Sequence, residues 1–249
     1  MQASYSMKVK TIVARLTILL TLLPAGAGAQ VQHPEALSLL GKPLFTERPK
    51  GDAAAKATAD LEAARTVAAR DPTRPDAAYA LGQADEAAGR LLDAIDAYTI
   101  SIEKHPDDTR LVFARGRLLL VIRKFDVAIR DMRTASPTMP EARCRLAFAT
   151  YLKGDFASAR DDFKANCPSS PWSAVAAARA ERSAAPSSPS DDDILRAYYA
   201  ALPALIGKDA SSARDQLKKI VDKQSKRWTE DAYIAAEADL ARLPKKRRK

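Results

Sequence analysis

Residues 75–108 read PDAAYALGQADEAAGRLLDAIDAYTISIEKHPDD, and the pattern in this stretch decides the fold. Its proline, glycine and alanine residues recur at intervals of 34 residues along the chain. The recurring residues are Pro72, Pro106 and Pro140, Gly82 and Gly116, and Ala94 and Ala128. A period of this length marks an array of helix pairs, because one pair cannot bury its apolar face alone and stacks on its neighbours. The stretch therefore predicts an all-α fold with an extended surface for holding another molecule.

The composition of the chain agrees with helices. Of its 249 residues, 47% are hydrophobic and only 6% are aromatic. These proportions fit an alanine-rich helical array better than a sheet protein. Alanine has the highest helix propensity, and its small side chain lets two helices approach closely.

Residues 1–29 predict a secretory signal peptide. Three cations precede the apolar run at 16–23, which is about half as long as the roughly 20 residues that a spanning helix needs. The Ala-Gly-Ala segment at 27–29 predicts cleavage before Gln30. We therefore expect an exported product, periplasmic in a bacterium or secreted. The alternative is an uncleaved membrane anchor.

The net charge of +9 is concentrated in the two terminal segments. Three cations fall within residues 1–29 and five form the C-terminal run, so removing these eight leaves +1 for residues 30–244. The C-terminal run consists of Lys245, Lys246, Arg247, Arg248 and Lys249. Such a run is a candidate contact for a membrane surface or an acidic polymer. The alternative is a disordered, solubilising end.

The unit at 75–108 resembles the tetratricopeptide repeat family. The matching residues are Leu81, Gly82, Ala94, Tyr98 and Pro106. Ala78 stands where the family has a large leading aromatic residue. The resemblance implies a right-handed α-solenoid, a superhelix of helix-turn-helix units, which binds other molecules along its concave face and is not an enzyme.

Further units can be placed in register with this one. The chain contains about three repeats, a preceding half-repeat and C-terminal helices, and the third repeat starts three residues early. A flexible N-terminal segment is predicted at 30–52, with at most one short helix near Glu35–Leu40. The array follows at 53–182 and consists of a half-repeat at 53–74, repeats at 75–108, 109–139 and 140–171, and an extra helix at 172–182. After it come a Pro/Ser linker at 183–190, a degenerate repeat with a polar-backed capping helix at 191–243, and a basic tail at 244–249.

The resemblance also implies which residues line the concave face, since the first helix of each unit does so in this family. These predicted groove positions are Asp76, Tyr79, Gln83, Glu86, Arg110, Phe113, Arg117, Leu120, Glu141, Cys144, Phe148 and Tyr151. The main candidates for peptide binding among them are Tyr79, Gln83, Arg110, Phe113, Arg117, Phe148 and Tyr151. Arginines can pair with a carboxylate and aromatic residues can hold apolar side chains, so the expected partner is an acidic or amphipathic peptide. The alternative is that the arginines are merely solvated and the aromatics pack on a neighbouring helix.

The two cysteines, Cys144 and Cys167, are candidates for a disulfide bond. An even count is meaningful in an exported protein, and the two residues lie near the start of one helix and the end of its antiparallel partner. A bridge would stabilise the fold by roughly 3 kcal/mol. Two buried free thiols are the alternative.

No motif in the chain predicts catalysis or a metal. His33 and His105 are the only histidines, and neither has a second ligand at metal-binding spacing. We therefore expect no metal, no cofactor, no specific nucleic acid partner and no enzymatic activity. The predicted function is an exported scaffold for protein or peptide interaction. The alternative is an envelope-associated binder of a polymer or membrane that uses the basic tail, with the array as a spacer.

Overall fold

The computed structural model describes residues 33–244, and these residues form one compact unit. This part is almost entirely helical, and each helix packs on the next one along the chain. Its helices are α1 (Asp52–Arg70), α2 (Pro75–Ala87), α3 (Leu91–Lys104), α4 (Thr109–Val121), α5 (Phe125–Ala135), α6 (Pro140–Leu152), α7 (Phe156–Asn166), α8 (Pro171–Glu181), α9 (Asp193–Ile206), α10 (Ala210–Lys223) and α11 (Asp231–Arg242). The predicted all-α solenoid is confirmed. Among these helices, none is both long and apolar enough to cross a bilayer.

The helix starts follow the sequence repeat. The helices α2, α4, α6 and α8 begin at residues 75, 109, 140 and 171, so successive units are 34, 31 and 31 residues long. The helices α3, α5 and α7 begin at 91, 125 and 156 and keep the same spacing. Proline is the first residue of α2, α6 and α8, a position where its missing N–H costs no helical hydrogen bond. The third unit starts three residues earlier than a strict 34-residue period would place it, and the 31-residue spacing recurs at α8.

Small residues let the two helices of a pair approach closely. A Cβ atom on Gly82 would lie 2.2 Å from the ring of Tyr98, and one on Gly116 would lie 2.8 Å from the Cβ of Asp131. Tyr98 is fully buried and its hydroxyl donates to Glu86 at 2.9 Å, so its ring cannot move aside. The glycines of the repeat are therefore required by packing.

The N-terminal segment forms a β-hairpin, whereas the sequence analysis allowed at most one short helix near Glu35–Leu40 and expected no strand. Strand β1 (Ala36–Leu37) pairs antiparallel with β2 (Pro43–Leu44). The Oγ atom of Ser38 accepts hydrogen bonds from two backbone N–H groups of the turn, which favours a turn over a helix. Gly41 supplies the left-handed conformation in this turn, with φ of 78°.

The hairpin is fastened to the helices at several points, whereas the sequence predicts a flexible segment. The carboxylate of Glu35 accepts from the backbone N–H of Leu92 at 3.0 Å. The indole Nε1 of Trp228 donates to the carbonyl oxygen of Phe45 at 2.9 Å. Leu44 is buried in the main core. The hairpin thus contacts both the start of α3 and the segment before α11.

Helix α11 lies inside the molecule, so the expected polar-backed capping helix is wrong. Every residue from 232 through 240 is buried, and α11 packs against α6, α9 and α10. Its acidic residues are neutralised by arginines of the array. The guanidinium of Arg123, in the turn after α4, lies 2.6 Å from Glu237, and both side chains are buried. Arg179 of α8 pairs with Asp239 at 2.9 Å. The ion pairs allow a helix with charged residues to occupy the core.

Candidate binding cleft

A cleft of about 350 Å³ lies between α6, α7, the start of α8 and the start of α11. Its walls are mostly apolar. They are formed by Glu141, Cys144, Arg145, Phe148, Phe163, Ser170, Pro171, Trp172 and Asp231. A concave, largely apolar cavity of this size with a few polar groups is typical of a binding site.

Aromatic rings form the floor of the cleft. The ring centroids of Phe148 and Trp172 lie 4.7 Å apart with an interplanar angle of 47°. Both side chains, and that of Phe163 beside them, are buried in the main core. Because the core holds these rings in place, the floor is preorganised for an apolar group.

A disulfide bond links two of the helices that form the cleft. The structure joins Cys144 of α6 to Cys167 at the end of α7 by a disulfide bond, with 5.8 Å between the two Cα atoms. The antiparallel packing of α6 and α7 brings the two residues together, as the sequence suggests. The bond fixes the separation of these helices next to the aromatic floor.

The rim of the cleft is charged. Arg145 Nη1 donates to both carboxylate oxygens of Asp231 at 2.7 Å, which joins α6 to the start of α11. Glu141 is exposed in the first turn of α6 and forms no ion pair with the residues that the structure describes. The rim therefore carries one uncompensated negative charge, and it disfavours an acidic group at this position.

The predicted groove positions of the third repeat divide into two groups. Glu141, Cys144 and Phe148 line the cleft. Tyr151 does not, because it is fully buried beneath the C-terminal helices, with its ring centroid 5.6 Å from that of Trp172. The prediction that Tyr151 contacts a partner is therefore wrong, since its position on α6 is covered by the chain itself.

The two predicted groove arginines, both on α4 of the second repeat, form ion pairs with the first repeat. Arg110 on α4 lies 2.9 Å from Asp76 on α2, and its guanidinium carbon is 5.8 Å from the centre of the Tyr79 ring. Arg117 pairs with Glu86 of the preceding unit in the same way. Both arginines remain partly exposed. These pairs connect neighbouring units and leave the outer faces of the arginines accessible.

The remaining predicted positions of these two repeats differ in exposure. Gln83 is exposed and Phe113 is half-buried. Leu120 is buried in the main core, so the prediction that it lines a groove is wrong. Phe113 packs on a small cluster formed by Met132, Ala135 and Ala142. None of these residues lines the cleft between α6 and α11.

A buried polar network lies behind the cleft. The hydroxyls of Tyr151 and Tyr198 hydrogen bond at 2.5 Å, and Tyr198 donates to Asp239 at 2.6 Å. Arg179 binds both oxygens of the same carboxylate, and its guanidinium carbon lies 4.1 Å from the centre of the Phe156 ring. Burial, reinforced by the negative charge of Asp239, raises the pKa of both tyrosines above the ordinary value.

The network predicts a loss of stability at alkaline pH. Free tyrosine in the unfolded chain releases its proton near pH 10, whereas Tyr151 and Tyr198 keep theirs in the folded state. Above about pH 10 the unfolded state then binds fewer protons than the folded state. The free energy of unfolding should therefore fall there by about 1.4 kcal/mol per pH unit for each of the two tyrosines, and these tyrosines should cause no fall below that pH. Urea unfolding at several pH values measures this slope. The double variant Tyr151→Phe/Tyr198→Phe should have a shallower slope, and an equal slope in that variant would contradict the prediction. Some slope should remain, because burial also raises the pKa of Tyr98, Tyr199 and Tyr233.

Sequence reasoning missed six of the nine residues that line the cleft, which are Arg145, Phe163, Ser170, Pro171, Trp172 and Asp231. Trp172 stands at the start of a predicted helix, and its size is the one signal that marks it. Arg145 and Asp231 carry no such signal, because the pair spans 86 residues and depends on α11 returning to α6. The predicted signal peptide and the cations at 245–249 lie outside the described residues. Between residues 33 and 244, no group of three or more His, Cys, Asp or Glu side chains is placed to hold a metal ion.

The paired helices, the small residues between them and the 34- and 31-residue spacing define a tetratricopeptide-like fold. Among solved structures, the chain is similar to a tetratricopeptide repeat protein from Parabacteroides merdae. The identity is 14% and the TM-score is 0.40, over 76% of this chain and 78% of that one. A comparison with models of known protein families found no match, and neither did a comparison with curated proteins.

Proposed function

We propose that this protein is an exported, non-catalytic scaffold that holds a protein or peptide partner, and that the cleft between α6 and α11 anchors an apolar side chain of that partner. Proteins with tetratricopeptide-like folds generally serve as interaction scaffolds. The observation that carries the proposal is the aromatic floor of Phe148 and Trp172 within a cleft of about 350 Å³. A preformed apolar pocket of this kind is where the binding energy of an interface concentrates.

The charge at the rim defines the partner further. Glu141 pairs with no cation among residues 33–244, whereas Asp231 is neutralised by Arg145. An amphipathic segment with an aromatic or aliphatic residue next to a lysine or arginine complements this rim, and an acidic segment does not. Arg110 and Arg117 lie on α4, in the neighbouring repeat, where they can contact more distant parts of the same partner.

A charge reversal at the rim tests the proposal without disturbing the core. Peptides selected from a random library on the chain from Gln30 onward should contain an apolar residue beside a cation. The variant Glu141→Lys should weaken their binding about tenfold, because an attraction at the rim becomes a repulsion. Fluorescence polarisation with labelled peptides measures this change.

The matched control is Glu103→Lys, the same substitution at an exposed residue of α3. It should leave peptide affinity unchanged. Peptides that bind Glu141→Lys as tightly as the parent chain would show that the cleft is not the anchoring site. Selection of strongly acidic peptides would contradict the proposed partner class.

A further inference from the structure

The exposed apolar side chains of this protein are concentrated on the N-terminal hairpin. Seven large hydrophobic residues are exposed in the part of the chain that the structure describes, and four of them lie between residues 37 and 45. These four, which we call the hairpin patch, are Leu37, Leu39, Leu40 and Phe45. Leu37 is 64% exposed. Single exposed hydrophobic residues are ordinary, but a cluster on one short hairpin indicates a contact surface.

The hairpin patch is held in place by the rest of the fold. The backbone N–H of Leu39 donates to the buried carboxylate of Glu237, and the carbonyl oxygen of Phe45 accepts from Trp228. Leu44, between these anchors, points into the core and is buried. The leucines therefore stay exposed, because their backbone is fixed in a position from which they cannot fold back onto the protein.

Lysines surround the hairpin patch. Lys42 in the hairpin turn lies 3.2 Å from Asp222 of α10, which also faces Lys218 at 3.9 Å. Lys226 pairs with Glu47 at 3.0 Å. These contacts place the end of α10 and the turn after it beside the hairpin.

Two more lysines of α10 lie on the flank of this helix that faces α9 and add to the positive charge of α10. Lys219 and Lys223 are exposed and form no ion pair with the described residues. We define the lysine rim as Lys42, Lys218, Lys219, Lys223 and Lys226. Three of these lysines contact two carboxylates, Asp222 and Glu47, and the other two are unpaired, so these seven side chains together carry a net charge of +3.

We propose that the hairpin patch and the lysine rim dock on an anionic lipid surface. Leucine and phenylalanine side chains enter the boundary between head groups and acyl chains, and lysines bind the phosphates around them. A protein partner fits less well, because lysine is depleted in protein interfaces whereas arginine is enriched, and all five cations of the rim are lysines. This surface is separate from the cleft between α6 and α11 and does not depend on its function.

Co-sedimentation with vesicles tests this proposal. The chain from Gln30 onward should bind vesicles of phosphatidylcholine with about one third phosphatidylglycerol, and binding should weaken as salt is raised. The triple variant Leu37→Ser/Leu39→Ser/Leu40→Ser should lower the partition coefficient at least tenfold. The variant Lys219→Gln/Lys223→Gln should lower it about fivefold for each lysine. The matched control is Leu92→Ser/Ile100→Ser, which removes two exposed apolar residues of α3 and should change nothing.

Four outcomes would overturn the proposal. The first is absence of binding, or equal binding to vesicles of phosphatidylcholine alone. The second is an equal loss in the control variant. The third is binding that disappears only when residues 245–249 are removed, which would assign the contact to the basic tail. The fourth is a dimer in light scattering that the leucine variant dissociates without any lipid binding by the parent chain, which would make a second copy the partner.

Discussion

Replacing Glu237 with alanine should lower the free energy of unfolding by about 3–5 kcal/mol. The Glu237 carboxylate accepts from Arg123 Nη2 at 2.6 Å and from Nε at 3.1 Å, and also from the backbone N–H of Leu39. The two side chains are 0% and 2% exposed. Without the carboxylate, a guanidinium is left in the core without a counter-charge. Burial already lowers the pKa of Arg123, which shows that its charged form is poorly solvated there.

A surface ion pair of the same chemistry provides the control for this prediction. Glu62 pairs with Arg65 at 3.0 Å on α1, but both side chains are exposed, so Glu62→Ala should cost less than about 1 kcal/mol. Urea titration followed by circular dichroism measures both variants. The double variant Arg123→Met/Glu237→Met should be more stable than the sum of its single changes implies. Strictly additive effects would show that the two charges do not depend on each other.

Loss of the disulfide between Cys144 and Cys167 should lower the free energy of unfolding by about 3 kcal/mol. The bond joins residues 23 positions apart, and a closed loop of this size restricts the unfolded chain. Reduction also releases α6 from the end of α7 beside the aromatic floor. Urea unfolding with and without a reductant measures the loss.

The variant Cys144→Ala/Cys167→Ala serves as the control for reduction. It should be as unstable as the reduced parent chain and should not respond to the reductant. A parent chain whose unfolding is the same with and without reductant would contradict the prediction. A response to reductant in the variant would mean that the reagent acts elsewhere.

The repeat array could be predicted from the sequence because its signals are local. The period of Gly82 and Gly116 reflects a contact within each helix pair, where a Cβ atom would strike the partner helix. Proline at the starts of α6 and α8 marks the helix boundaries. Each of these constraints acts within about one repeat, so spacing alone reveals it.

The environment of α11 could not be predicted, because it depends on distant partners. Glu237 and Asp239 make this helix look partly exposed, since isolated acidic residues normally face solvent. They are buried because each forms an ion pair with an arginine that lies far away in the sequence. Arg123 is 114 residues before Glu237, and Arg179 is 60 residues before Asp239. No periodicity within 231–242 contains that information.

The same reason explains the mixed result at the predicted groove positions. Phe148 and Tyr151 lie one turn apart on α6, and the family resemblance assigns both to a binding surface. Phe148 lines the cleft, whereas Tyr151 is covered by the C-terminal helices and bonded to Tyr198. Which positions stay open is decided by where the later segments of the chain pack, and the repeat pattern does not describe those segments.

Because α11 is buried, the native packing of the earlier helices depends on a helix that is synthesised after them. Of the helices described, α11 is the last to be synthesised, and it supplies the carboxylates for Arg123 and Arg179. A nascent chain that has released only α1–α10 carries these guanidiniums without their partners. The native packing around Arg123 and Arg179 can therefore be completed only after α11 has been released.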